Sequence, residues 1–228
     1  MKRITCYLLL VLIPVLASSQ SKRDTKEGMS LSVTAEKYLR RNLSLNIEEE
    51  IRLQTNRIGF DRTVSAAGLD YNLLNRKAKI GVYYAFIYLY NNDYLFEPRH
   101  RFYLNLSYKE SIESFTVSWR LRVQETVRDE KRGSYRVNPR YATKNKLEVE
   151  YVVWGKPWMP FLSCDLSNNL NDPETRYDFV RLRFQGGVNW RLNRTESLDI
   201  FLRWDEHLKA DDPRVVSLGI NFKMRFRD

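Results

Sequence analysis

The chain is poor in cysteine, in histidine and in long apolar runs, and each shortage removes a class of protein. Only two cysteines occur in 228 residues, Cys6 and Cys164. Cys6 belongs to the N-terminal segment "MKRITCYLLLVLIPVLASSQ", which has a basic start (Lys2, Arg3), an apolar run from Cys6 to Ala17 and a small, polar end. That is the layout of a secretory signal peptide over residues 1–20, and the run is shorter than the roughly 20 apolar residues that cross a bilayer as a helix. An N-terminal anchor helix is the alternative. Because Cys6 stands at the start of the apolar run and not after it, a lipoprotein cleavage site is disfavoured. Cleavage leaves Cys164 alone, so the mature chain has no internal disulfide and must be held by a core or a closed hydrogen-bond ladder.

The two histidines, His100 and His207, leave little room for hydrolase chemistry. A serine nucleophile needs an adjacent base, and neither histidine has a serine two residues away on the same strand face. Both read as rim residues. Nothing has zinc-ligand spacing, so no catalytic residue, metal or cofactor is expected. The acidic pairs Glu48/Glu50 and Glu148/Glu150 could serve acid–base chemistry, but each shares a face with several arginines, and salt bridges are the stronger reading. Gly186–Gly187 lies mid-strand and is no phosphate loop; a wall bend or room for a neighbouring side chain accounts for it.

No stretch beyond the signal peptide reaches eighteen apolar residues, which excludes a transmembrane helix but not transmembrane strands, where only every second residue need be apolar. Acid is the scarcer charge. The formal net charge is +10, and loss of Lys2 and Arg3 leaves 36 basic against 28 acidic residues, a formal +8. An exported chain rarely meets nucleic acid. Outer-membrane lipid, lipopolysaccharide headgroups and small anions are the expected counterparts.

What the chain does have is alternation with a period of two. In 43–54, Leu43, Leu45, Ile47, Ile51 and Leu53 share one side, broken only by Glu49, while Ser44, Asn46, Glu48, Glu50, Arg52 and Gln54 share the other. The same division runs through 63–73, 78–90, 99–109, 115–124, 144–153, 162–167, 179–192, 198–205 and 216–226, with a shorter first candidate at 30–37. These eleven candidate strands often reach ten residues, where soluble strands average about five or six and membrane-spanning ones need about ten. Short connections (40–42, 75–77, 110–111, 155–157, 193–194) alternate with longer polar ones: "TNRIGFD", "NNDYLFEP", "RDEKRGSYRVNP", "SNNLNDPETR" and "HLKADDPR". Outer-membrane barrels pair short periplasmic turns with long extracellular loops in this way.

The segment "FVRLRFQGGVNWRL" poses the sidedness question most sharply. If the short turns are periplasmic, the apolar side of each downward strand ends there in an aromatic: Tyr71, Tyr108, Tyr151, Trp190 and Phe226. Tyr90, Phe102 and Trp204 mark the opposite rim. Two aromatic girdles around an aliphatic band are what amphipathic rings form at two headgroup levels. Val180, Leu182, Phe184 and Val188 then face lipid, and Arg181, Arg183 and Arg191 face a lumen. The prediction is an all-β, antiparallel transmembrane β-barrel of 10–12 strands over residues 29–228, after a leader at 21–28. A soluble β-sandwich is the alternative. Eleven strands would not return both termini to the periplasm, so a twelfth, hidden near "GSYRVNPRYATKN", is favoured.

The order of "LSLNIEEEIRL", "LDYNLL", "IGVYYAF", "RHRFYLNLSY", "VSWRLRVQE", "KLEVEYVV", "MPFLSCDLSN" and "VRLRFQGGVNWRL" resembles a family of small Bacteroidetes outer-membrane barrels known only as a domain of unknown function. The resemblance covers nearly the whole mature chain. It implies a barrel in the outer membrane of a Gram-negative bacterium, folded by the outer-membrane assembly machinery, and no established activity. Two features depart from it: many relatives carry Glu where Asp165 stands, and Phe226 is followed by Arg227 and Asp228, which implies that the assembly signal is read slightly inside the end.

The candidate site is the lumen face: Arg101, Arg120, Arg122, Arg181, Arg183 and Arg203 with Glu48, Glu50, Glu148 and Glu150. About twice as many basic as acidic residues point inward. Two readings stay open. One is a narrow, porin-like passive pore that favours anions. The other is a lumen cross-linked by arginine–carboxylate pairs, plugged, with loops that bind a partner.

Overall fold

The computed structural model describes residues 25–54, 59–90, 96–128, 137–172, 179–207 and 213–226. The expected signal peptide, the expected leader up to residue 24 and much of each long connection lie outside them.

Eleven strands close into one barrel. They are β1 (Thr25–Arg40), β2 (Leu43–Gln54), β3 (Phe60–Leu73), β4 (Ala78–Tyr90), β5 (Phe96–Ile112), β6 (Phe115–Arg128), β7 (Arg140–Tyr151), β8 (Trp158–Asn169), β9 (Phe179–Arg191), β10 (Glu196–His207) and β11 (Arg214–Phe226). Each is rich in the branched and aromatic residues that suit a pleated surface, and each alternates by two so that one face packs inward throughout. Consecutive strands pair antiparallel. Closure does not follow the pattern: β1 runs parallel to β11, from Thr25 opposite Arg214 to Lys37 opposite Phe226.

That parallel seam corrects the parity reasoning. Eleven lies within the expected ten to twelve, but among the described residues no twelfth strand joins the wall. The segment that could have hidden one yields β7 only from Arg140, and its residues up to 136 are not described. An even count is required only if every pair is antiparallel. Here the first strand, Thr25–Arg40, is longer than the 30–37 expected and joins the last strand in the same direction.

Two local expectations also shift. The β5–β6 turn falls at 113–114 rather than 110–111, because β5 continues to Ile112. In β9 the register slips between Ser167 and Asn168, which pair with Arg181 and Phe179. The slip turns Phe179 outward and brings Val180 against the lumen, so Val180 is not part of the outer face. At the short-turn rim, Leu74, Asn75 and Arg76 carry φ of 48°, 53° and 70°. This left-handed run is disfavoured for non-glycine residues, and it is tied to the β1–β2 turn by Asn72 N–H donating to Asn42 O at 2.7 Å and Arg76 donating to Arg41 O at 3.2 Å.

The barrel is inside out relative to a water-soluble core. Among the described residues sixteen buried side chains are polar or charged and eight apolar, while Val82 (59 % exposed), Leu104 (54 %) and Leu202 (62 %) stand on the outer face. The apolar exception inside is small, with Ala66, Ala85 and Tyr103 packed against Val64 and Tyr83.

Candidate functional site

The strands deliver the predicted inward residues to two adjoining cavities. Glu48, Glu50, Arg101, Arg120, Arg122, Glu148, Glu150, Arg183 and Arg203 line one of about 370 Å³. Arg181 lines the other, of about 350 Å³, toward the rim of the long connections, and Arg101 and Lys144 border both.

The charges of the lumen are used in two ways. Carboxylates along its whole length are matched. Arg183 grips Asp205 with two parallel bonds, Nε to Oδ1 at 2.5 Å and Nη2 to Oδ2 at 2.7 Å. Glu50 accepts from Arg52 at 2.7 Å and from Ser30 Oγ at 2.7 Å, and Arg203 stands 3.6 Å away. Lys146 pairs with Glu148 at 2.6 Å, Lys223 with Asp199 at 2.5 Å, and Lys79 with Asp70 at 3.1 Å. Asn189 also donates to Asp199. Several pairs lie two residues apart on one strand, so alternation itself builds part of the lattice. Such pairing satisfies charges held out of bulk water, where an isolated one would be costly.

Toward the long connections Arg62 pairs with Asp61 at 2.7 Å and Arg99 with Glu97 at 2.6 Å, yet a group of cations is left over. Arg101, Arg120, Arg122, Lys144 and Arg181 have no ion pair among the described residues, and neither do Glu48 and Glu150 nearer the other end. Arg122 and Lys144 occupy opposed positions on β6 and β7. The partners found for these arginines are neutral. Arg101 Nε donates to Thr126 Oγ1 at 3.2 Å, and Arg122 Nε donates to Asn105 Oδ1 at 2.8 Å. Arg181 donates to Ser167 Oγ at 3.4 Å. The Arg122 guanidinium also lies 3.9 Å above the Tyr103 ring, a cation–π contact that holds its plane.

Aromatic rings project into the lumen where glycine makes room. Tyr83 and Tyr103 stack at 4.9 Å, and a Cβ at Gly68 would fall 2.2 Å from the Tyr83 ring. Phe201 sits between Gly187 and Gly219 on the neighbouring strands, 6.4 Å from Phe161 and 5.3 Å from the Arg203 guanidinium. Of the two readings of Gly186–Gly187, room for a side chain describes Gly187. These rings are absent from the predicted site because only cross-strand register reveals that Tyr83, Phe161 and Phe201 each face a glycine and that Tyr103 faces Tyr83.

The predicted girdle residues all lie on the outer face. Tyr71, Tyr108, Tyr151, Trp190 and Phe226 stand exposed at the short-turn rim, with Trp158 directly opposite Trp190 and Phe115 opposite Tyr151. Phe102 is exposed toward the other rim, and Tyr90 and Trp204 are half-buried there. That girdle also contains Tyr88, stacked on Phe96 at 4.8 Å, which the strand-end criterion passed over. Below, in the β3–β4 turn, Lys77 is held above the ordinary lysine range by its hydrogen bond to Glu110 at 2.8 Å.

His100 lies on the outer face with Nδ1 2.8 Å from the Tyr84 hydroxyl, and His207 borders the basic cavity at the end of β10. Cys164 is half-buried on the outer side of β8. Among the described residues no group of His, Cys, Asp or Glu is placed to hold a metal ion.

Comparison with known proteins supports the architecture. No curated protein matches the sequence. Among solved structures, a bacterial polysaccharide outer-membrane secretin superposes with a TM-score of 0.54 at 18 % identity, over 83 % of this chain and 67 % of that one. The β domain of the Bordetella autotransporter BrkA gives a TM-score of 0.38 at 10 % identity, over 79 % of this chain and 82 % of that one. The first of these shows a shared barrel fold. Residues 28–213 match the family described as a protein of unknown function, DUF2490, and the chain belongs to that family.

Proposed function

We propose that the chain is an outer-membrane barrel of a Gram-negative bacterium that admits small anions through a narrow basic lumen. The observation that carries this reading is the lining of the loop-side cavity: seven arginines and lysines against one carboxylate, Asp172. Rings of fixed charge set the sign of the ion that enters a pore. The outer face supports the membrane setting. Its continuous apolar band would far exceed the roughly 300–600 Å² patch that a soluble monomer exposes, whereas lipid between two aromatic girdles covers it without cost. In this setting the neighbours of the barrel are outer-membrane lipid and lipopolysaccharide, and the assembly machinery inserts it. Nucleic acid has no place in it, and neither the lumen nor the histidines are assigned catalysis.

Conductance in planar bilayers tests the reading. Wild-type protein should form small channels whose reversal potential in a salt gradient shows preference for anions. An Arg120→Ala/Arg122→Ala/Arg181→Ala variant should lose most of that preference. A barrel that never conducts would sink the pore. Residence in the membrane is tested by the shift in gel mobility on heating, and a monomer that is soluble without detergent would refute it.

The paired charges of the lumen favour a second reading, a plugged barrel whose loops engage a partner. Arg183–Asp205 and the Glu50–Arg52–Arg203 group reach into the space a solute must pass. The same conductance measurement separates the two.

A further inference from the structure

The loop-side cavity holds more positive charge than the fold has use for. Lys144 on β7 faces Ser167 on β8, and Ser167 faces Arg181 on β9, in one register row. Arg122 opposes Lys144 from β6, and Arg101 borders the same cavity from β5. Arg101, Arg122 and Arg181 all lie within electrostatic reach of Lys144. Like charges facing across strands weaken a sheet, so packing alone does not account for them. The carboxylates within electrostatic reach of Arg181 are Asp165 and Asp205, one row further down, and Asp205 is already gripped by Arg183. Arg181 Nε is enclosed and has no hydrogen-bond partner. A donor left in this state points to a group that the protein alone does not supply.

We propose that this cavity is a binding site for a phosphate- or sulfate-class oxyanion, held by Arg101, Lys144 and Arg181. The proposal deepens the anion reading above and rests on its basic lumen, but it does not require conduction. Three donors from β5, β7 and β9 line one cavity, enough to serve several oxygens of a tetrahedral anion rather than the two of a carboxylate. Arginine forks match two oxygens at once, and the lysine adds a compact point charge. Gln124, Thr126 and Ser167 line the same space and can serve the remaining oxygens. A cation is repelled there, and a neutral sugar would leave the charges unanswered. At about 350 Å³ the cavity lies at the small end of the ligand-pocket range of roughly 300–1,000 Å³, room for a phosphate with a modest substituent.

The test is calorimetric titration of the full chain, purified in detergent free of lipopolysaccharide, with inorganic pyrophosphate. Acetate at equal ionic strength is the reference. Binding of pyrophosphate but not acetate, weakening as salt is raised, is expected. A Lys144→Gln/Arg181→Gln variant should bind about tenfold more weakly or worse, since each lost contact is charge-assisted. Lys223→Gln, in the other cavity and paired with Asp199, should bind as wild type. The heat-dependent gel shift establishes that each variant is folded. Displacement of pyrophosphate by a soluble sugar phosphate assigns the site to free solutes, and displacement by lipopolysaccharide alone assigns the phosphate to a headgroup. Absence of pyrophosphate binding at millimolar concentration, or equal binding by the double variant, overturns the proposal. Channel activity without pyrophosphate binding would overturn this site and leave the pore reading standing.

Discussion

Arg122 and Lys144 face each other across the β6–β7 ladder on the lumen side, with no carboxylate paired to either among the described residues. Directly opposed charges of one sign destabilise a sheet by about 0.2–1 kcal/mol. Lys144→Gln should therefore stabilise the barrel by about that amount, seen as a higher temperature for the gel-mobility transition in low salt. Since salt screens the repulsion, the gain should shrink as ionic strength rises. A variant less stable than wild type would mean that Lys144 has a partner after all.

Asp205 predicts the opposite sign. Its carboxylate is the bidentate partner of Arg183, and both side chains are about 10 % exposed. Asp205→Ala leaves a largely buried guanidinium unpaired, at a cost of about 3 kcal/mol, judging by other broken buried pairs. Arg183→Met/Asp205→Leu should recover much of it, because replacing both partners removes the stranded charge. Equilibrium unfolding in urea from detergent micelles would read both numbers.

The glycines around Phe201 separate two kinds of crowding. The three atoms nearest a Cβ at Gly219 all belong to the Phe201 ring, the closest at 2.2 Å. One at Gly187 would meet backbone as well, Ile200 O at 2.3 Å and Phe201 Cα at 2.7 Å. Gly219→Ala should impair folding and be rescued by Phe201→Ala, whereas Gly187→Ala should impair folding and resist that rescue. The yield of the heat-modifiable form is the readout, and rescue of both by Phe201→Ala would refute the distinction.

An axial asymmetry of fixed charge should appear in the current itself. With Arg101, Lys144 and Arg181 gathered near the long connections and Glu150 near the short turns, all without an ion pair among the described residues, anions should pass more readily in one direction. Single-channel current–voltage curves should then be asymmetric, and Arg101→Gln/Lys144→Gln/Arg181→Gln should straighten them. A linear curve in the wild type would count against that distribution of unpaired charge.

Much of this architecture can be read from the residues alone. Leu43–Gln54 and Ala78–Tyr90 stand as strands at the expected bounds, and the inward or outward direction of nearly every named side chain follows from parity. A period of two is local, and local patterns survive in a sequence. Val180 is the exception that shows the limit, since one slipped residue at the β8–β9 pairing reversed its side. What could not be read is non-local. Which residues become neighbours across strands depends on register, so Phe201 between two glycines and Lys144 beside Arg122 are invisible along the chain. The pairing of β1 with β11 depends on the closure of the whole wall.

That closure gives the barrel a grain. Ten of its eleven ladders carry antiparallel bonds perpendicular to the strands, while the β1–β11 ladder carries the slanted bonds of a parallel pair, which are slightly weaker per residue. The side-chain contacts across it are long: Thr34 donates to Asn221 at 3.2 Å, Ser32 Oγ donates to Ile220 O at 3.5 Å, and Arg225 approaches Glu36 at 3.5 Å. Heat or pulling force should part the wall along this line before any other, as a board splits along its fibres. Amide hydrogens of Leu31 to Ala35 that bond toward β11 should exchange sooner than those bonded toward β2.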